Sequence, residues 1–345
     1  MGKTSVIRKM CSESKRGFLK YRDLEGIHTP LEFAELVLSD AREAFTQGQK
    51  VSTFFKSLIK DLGGVEVGGL IKFPDGKPPS WKQVLQETLQ AMVRAQESKL
   101  VIFFWDELPL MLHNIVKREG EEIGMSLLDL LRGLRQELPT LRMVYTGSIG
   151  LHNVLRSLKR QGYANAPVND MYMFPLPHFS QEHAQELASK LLQAEKLPHH
   201  LELQHALALA ADHIPYYIHH LVDQLRLQRD PITPELVQKR VTALIRSPQD
   251  PWQLKHYVER IGTYYTETEQ QQIFVILDRL CVTSKGMTTS QLRKHLDKSR
   301  WPSSPAGLAE LLQQLELDHY LRPVDEAYEL NNTILKQGWR YHRGL

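Results

Sequence analysis

Between Leu100 and Trp105 the chain runs Leu-Val-Ile-Phe-Phe-Trp without a polar residue, and then sets two carboxylates, Asp106 and Glu107, side by side. An apolar run this short suits a strand covered on both faces, as in a parallel sheet sandwiched by helices. Acidic groups at the C-terminal end of such a strand stand where open α/β sheets hold their ligands. The other reading is that Asp106 and Glu107 cap the helix expected over Leu108–Val116.

The start of the chain supplies a counterpart for those carboxylates. Met1-Gly2-Lys3-Thr4-Ser5 contains the second half of the phosphate-binding pattern G-x-x-x-x-G-K-[ST]. Gly2 lets backbone pass close to a phosphate with no Cβ in the way. Lys3 offers a point charge to the β/γ-phosphates, and the Thr4 hydroxyl suits a Mg²⁺ ligand. The following residues, Ser5 to Cys11, are helix-compatible, so phosphates would meet the N–H groups and positive dipole end of a helix. On this reading Asp106 holds Mg²⁺ and Glu107 orients or deprotonates an attacking water. The first glycine of the pattern would lie before residue 1, so the sheet is expected to lack its first strand. The natural protein is accordingly expected to begin upstream of Met1.

The rest of the first half alternates. Gly17–Glu25 predicts a strand and Pro30–Phe45 a helix; Leu141–Ser148 predicts a strand ending in hydroxyl residues, followed by a helix over Ile149–Leu158. Ser148 would sense a γ-phosphate or position water, or else simply cap that helix. Met171-Tyr-Met-Phe174 predicts one more strand, cut by Pro175 and Pro177. Such alternation is a doubly wound α/β domain.

The series Gly2-Lys3-Thr4, Phe104-Trp-Asp106-Glu107, Thr146-Gly147-Ser148, Phe174-Pro175-Leu176 and Asp212-His-Ile-Pro215-Tyr-Tyr217 resembles the AAA-type P-loop ATPases of the archaeal-ATPase/STAND group. The resemblance implies an ATPase core, a helical lid and a winged helix. It implies that Lys3, Thr4 and Ser5 bind the triphosphate of ATP and that Thr4 and Asp106 bind Mg²⁺. It makes Glu107 the catalytic acid and puts Ser148 or Thr146 at the first sensor position. Pro215 would match the lid element that touches adenine and ribose, although His213 stands where that group usually has glycine.

The remaining chain divides by pattern. The expected domains are 1–178, the ATPase core; 179–245, a helical lid; 246–251, a linker with two prolines; and 252–345, a winged helix. Ser180 is a good N-cap, and helical periodicity continues to Ile245 with breaks at Pro198, Pro215 and Pro231 to Pro234. In the last part, helices over Thr266–Val282, Thr288–Leu296 and Ser304–Leu315 precede two short strands between Tyr320 and Leu330. That is a winged-helix outline. Its third helix carries no Lys or Arg and two carboxylates, Glu310 and Glu316. From Trp252 onward twelve Lys and Arg stand against eleven Asp and Glu, which offers little net charge for phosphate neutralisation. Protein docking is therefore expected there ahead of DNA binding.

At 345 residues more than one domain is expected. Two distant cysteines, Cys11 and Cys281, and no signal segment point away from a disulfide scaffold and toward the cytoplasm. No apolar run is long enough to cross a bilayer, and the paired histidines, His199-His200 and His219-His220, lack zinc-site spacing. Three functions fit: an ATP-driven switch with slow hydrolysis and a protein partner or self-oligomer, a DNA-binding regulator controlled by ATP, and a scaffold with a decayed phosphate loop.

Overall fold

The computed structural model describes residues 2–45, 65–67, 70–72, 80–96, 99–148, 150–228 and 231–345. It divides into two units, Lys3–Phe174 and Pro175–Leu345, with Gly2 grouped with the latter. The first unit runs α1 (Lys3–Glu13), β1 (Gly17–Asp23), α2 (Pro30–Phe45), the antiparallel pair β2 (Val65–Val67) and β3 (Leu70–Lys72), α3 (Trp81–Ala95), β4 (Leu100–Asp106), α4 (Leu108–Glu119), α5 (Glu121–Glu137), β5 (Leu141–Tyr145) and α6 (Leu151–Arg160).

The apolar run is β4, the middle strand of a parallel sheet of order β1-β4-β5. Val101, Phe103, Phe104 and Trp105 are all buried, as a strand covered on both faces requires. Trp105 meets Phe33 of α2 edge-on at 4.9 Å and stacks on Tyr145 of β5 at 6.0 Å. The helices cover the sheet with helical stripes, for example Val84, Leu85, Leu89 and Met92 of α3. Gly17 is required where β1 begins: a Cβ there would lie 2.1 Å from the Leu100 carbonyl oxygen. Register then aligns the C-terminal strand ends, Asp23 opposite Asp106 and Trp105 opposite Tyr145.

The strand expected over Met171–Phe174 does not form, and Tyr172, Met173 and Phe174 are 85%, 70% and 77% exposed. Two restraints explain this. Arg135 of α5 binds both Asp170 and the hydroxyl of Tyr145, the last residue of β5, so the segment departs from that strand's end rather than along its edge. Pro175 and Pro177 then remove the N–H groups a ladder needs.

The second unit is helical first: α7 (Gln181–Ala194), α8 (Leu201–Ala210), α9 (Pro215–Arg226) and α10 (Pro234–Ile245). The starts follow the sequence signals. Ser180 accepts from the His183 N–H, Thr233 accepts from the Leu236 N–H, and proline opens α9 and α10. Next come α11 (Lys255–Tyr264), α12 (Glu267–Val282), β6 (Met287–Thr288), α13 (Thr289–Asp297), α14 (Pro305–Leu317), β7 (Leu321–Val324), β8 (Ala327–Leu330) and α15 (Thr333–Arg343). The strands form an antiparallel sheet of order β6-β8-β7.

Two features of this unit have no counterpart in the sequence reading. Residues 246–251, where a linker is expected, fold as turns, and the Asp250 carboxylate accepts from the Leu254 and Lys255 N–H groups at 2.8 Å; the neighbouring Trp252 is buried. The terminal helix α15 ties the unit together, because Ile334 packs into the core of α7–α10 while Leu335 and Trp339 pack into the core of α11–α14. Among the described residues no helix is long and apolar enough to cross a membrane.

Candidate functional site

The parallel register brings three strand ends together, and the site grows from them. Asp106 closes β4 and is 6% exposed. Its Oδ2 accepts from the Thr4 hydroxyl at 2.6 Å and the Tyr21 hydroxyl at 3.3 Å; its Oδ1 accepts from the Thr146 hydroxyl at 2.5 Å. Burial pushes this carboxyl up, but the Thr146 and Thr4 hydrogen bonds, the Lys3 charge and the Tyr21 hydroxyl outweigh it and hold Asp106 below its ordinary range. A buried carboxylate is thus kept ionised by three hydroxyls from α1, β1 and the segment after β5.

Thr4 is there because α1 begins at Lys3, directly after Gly2, whose φ of +82° is a backbone state that favours glycine. The first-turn N–H groups of α1 have no carbonyl four residues back to bond and are open donors. Ser5 follows on that turn and is exposed. The Lys3 amine donates to the Gly147 carbonyl.

Glu107 occupies the left-handed region (φ 57°, ψ 25°) at the N-cap of α4 without a side-chain capping bond. The capping alternative for Glu107 is therefore not what the structure shows. Its carboxylate instead accepts from the Ser148 N–H at 2.8 and 3.0 Å and from the Ser148 hydroxyl at 2.8 Å. A non-glycine residue in this conformation costs on the order of 1–3 kcal/mol. The turn carries Glu107 away from Asp106 and onto the loop after β5.

Lys3, Thr4, Asp106, Glu107 and Ser148 therefore converge, as expected from the sequence, with Thr146 and Gly147 among them. The two hydroxyl residues after β5 have separate tasks: Thr146 holds Asp106 and Ser148 holds Glu107. Pro215 belongs to the other unit, at the first turn of α9, behind Asp212 and His213, which both adopt positive φ (49° and 57°). Tyr21 is a contact the sequence reading misses; the only cue is a hydroxyl-bearing aromatic near the end of β1, lying under the Arg8 guanidinium at 4.9 Å. The Arg135 side chain is only 8% exposed. It donates to Asp170 at 2.8 Å, the Tyr145 hydroxyl at 2.7 Å and the Pro167 carbonyl at 2.6 Å, which makes it a structural clamp at the end of β5.

No protein-family model and no curated protein sequence matches the chain. Solved structures do. The Walker-type ATPase paby2304 of Pyrococcus abyssi superposes with a TM-score of 0.61 at 18% identity, covering 98% of this chain and 88% of that one. The RuvB Holliday junction branch migration motor of Thermotoga maritima matches at a TM-score of 0.40 and 12% identity, over 96% of this chain and 80% of that one. The fold assignment rests on the Pyrococcus structure: the chain has the fold of a P-loop ATPase.

Proposed function

We propose that the cluster binds MgATP and hydrolyses it slowly, as a nucleotide-dependent switch of the AAA/STAND type. The observation that carries this reading is the 2.6 Å contact between Thr4 and an ionised, buried Asp106 across 102 positions of sequence. Both offer hard oxygen ligands, the donor type Mg²⁺ takes. Lys3 and the open N–H groups of α1 supply cationic and hydrogen-bonding partners for a triphosphate. When bound, Mg²⁺ would neutralise charge developing on the transferred phosphoryl group.

The protein's own steps follow from the contacts. Lys3 exchanges the Gly147 carbonyl for a phosphate oxygen. Thr4 and Asp106 would hold the metal through their oxygens, while Thr146 keeps the carboxylate ionised. Glu107 takes a proton from water at its carboxylate once it leaves Ser148, whose two donors otherwise hold it. In the second unit, α11–α14 with β6, β7 and β8 serve as a winged helix, and Pro215 as a lid contact to the base. The fold shared with the Pyrococcus structure, a Walker-type ATPase, supports the nucleotide-binding part of this reading. A protein partner or a second copy is the preferred target, since α14 offers no basic side chain to a DNA groove.

One observation favours a second reading, a non-catalytic scaffold. Lys3 and Glu107 both engage the 147–148 loop, so each has a protein partner already. Thermal unfolding separates the two. Excess MgATP at about 100 times its dissociation constant adds roughly 2.7 kcal/mol, or about 5–11 °C for a unit of this size. The ATPase reading expects that shift and its loss in Lys3→Ala. No shift in the unmodified chain would favour the scaffold.

A further inference from the structure

In the second unit a furrow between α10 and α15 combines shape, apolar surface and charge. Pro234, Gln238 and Val241 face Thr333 and Ile334 across a 240 Å³ cavity, and Thr242, Ile245 and Arg246 face Gln337, Arg340 and Tyr341 across a second cavity of 610 Å³. Gln337 lines both, so the cavities are two lengths of one furrow. The pairing order shows that the two helices run in the same direction. The α15 side extends from Thr333 to Gly344, about 16 Å at 1.5 Å per residue, or roughly three helical turns.

The furrow's floor is Val241 and Ile245, and its edges carry three large exposed apolar side chains, Leu209 (51%), Tyr341 (42%) and Leu345 (47%). Large apolar side chains left exposed along a groove mark interaction sites. Arg246 and Arg340 stand exposed at the wide end and form no ion pair with a carboxylate among the described residues. Both helices also end there, so two negative dipole ends share that mouth.

We propose that this furrow docks an amphipathic helix of a partner protein, about three turns long, lying antiparallel to α10 and α15. Its acidic first turn meets Arg246 and Arg340, and its apolar stripe at i, i+3, i+4 and i+7 fills the groove. The orientation follows from electrostatics: the antiparallel helix sets its positive end against the two negative ends, and acidic residues belong in a helix's first turn. Nucleic acid fits poorly, because the cations occupy one end of an otherwise apolar floor. The furrow is built by residues of the second unit alone, and the inference stands whether or not the nucleotide reading holds.

Fluorescence anisotropy of the full chain with a labelled amphipathic peptide of about four turns tests this, with Glu in the first turn and Leu at the stripe positions. Saturable binding is expected, weakened at least about tenfold by Arg246→Ala with Arg340→Ala, and by moving the Glu residues to the last turn. Arg246→Glu with Arg340→Glu should bind the peptide carrying first-turn Lys instead. Both arginines are exposed, and an unchanged circular-dichroism melt shows that the variants fold. No saturable binding, or binding indifferent to the arginines or to the peptide's charge direction, overturns the proposal. So does competition by duplex DNA at equal strength, or a self-dimer in sedimentation that the arginine variants dissolve.

Discussion

Thr146→Val isolates the hydrogen bond that keeps Asp106 ionised. Valine has nearly the shape of threonine and puts a methyl where the hydroxyl was, so the change deletes the 2.5 Å bond to Oδ1 and leaves the bonds from Thr4 and Tyr21 in place. Asp106 is only 6% exposed, so solvent replaces little of what is lost. A hydrogen bond to a charged group contributes about 1.5–3 kcal/mol. In a unit of this size that lowers the melting midpoint by about 3–12 °C.

Hydrogen exchange of the β4 and β5 amides is the suitable readout, since it reports on the first unit by itself. The sign of the pH dependence is fixed by the depressed carboxyl. Its folded pKa lies below the unfolded value, so its stabilisation is present above the unfolded value, about 3.9, and is lost as pH falls through the folded one. The Thr146→Val deficit should therefore be full at neutral pH and shrink on acidification. In an Asp106→Asn background the bond becomes neutral and contributes about 0.5–1.5 kcal/mol, so the double-mutant cycle should return a coupling of about 1 kcal/mol or more. Zero coupling, or a deficit equal at neutral and acid pH, would refute the reasoning and make Thr146 a packing residue only.

Glu107→Gln should lower phosphate release from MgATP at least about 100-fold while leaving the MgATP-induced thermal shift in place; loss of both together would remove Glu107 from the chemical step. Arg135→Ala strips Asp170 of its partner and is expected to cost about 3 kcal/mol in urea unfolding, the lower end of the range for buried pairs, because Asp170 keeps 25% of its side-chain surface. His213→Gly, at a φ of 57°, should stabilise the second unit by about 1 kcal/mol, read as a higher urea midpoint. An unchanged or lower midpoint would show that the imidazole contributes more than the backbone strain costs.

The pairing of Thr4 with Asp106 is legible in the sequence because each half is a local signal, a Gly-Lys-Thr before a helix and a carboxylate after an apolar run. The helices between Ser180 and Ile245 are legible for the same reason, since Ser180 starts the first and the breaks at Pro198, Pro215 and Pro231 to Pro234 separate the rest. What escapes is whatever needs register or distance. Tyr21 reaches Asp106 only because β1 and β4 pair in parallel with Asp23 opposite Asp106. Arg135 is paired with an aspartate 35 positions away. Tyr172 to Phe174 have the side chains of a strand, but a strand also needs a partner edge. Helix α15 serves two cores, with Ile334 in one and Leu335 and Trp339 in the other, and that sharing depends on how the two helical groups pack rather than on any local signal.

The loop 146–148 is the common partner of every charged group at the site. Thr146 binds Asp106, the Gly147 carbonyl receives Lys3, and Ser148 binds Glu107. Under the proposed function, a triphosphate that draws Lys3 away therefore removes one of the restraints on this loop, and the loop in turn holds Glu107. Binding is an exchange of contacts, so its net gain is smaller than the sum of the new ones. The same exchange gives the switch its two states, Lys3 on Gly147 with Glu107 restrained, or Lys3 on phosphate with the loop released. A ligand biases such a pair only through its different affinity for the two states, and here the difference is the Lys3 contact. Lys3→Ala should then loosen the loop even without nucleotide, seen as faster exchange at the Ser148 amide. If that amide exchanges at the same rate in both proteins, the lysine does not restrain the loop and the two-state account fails.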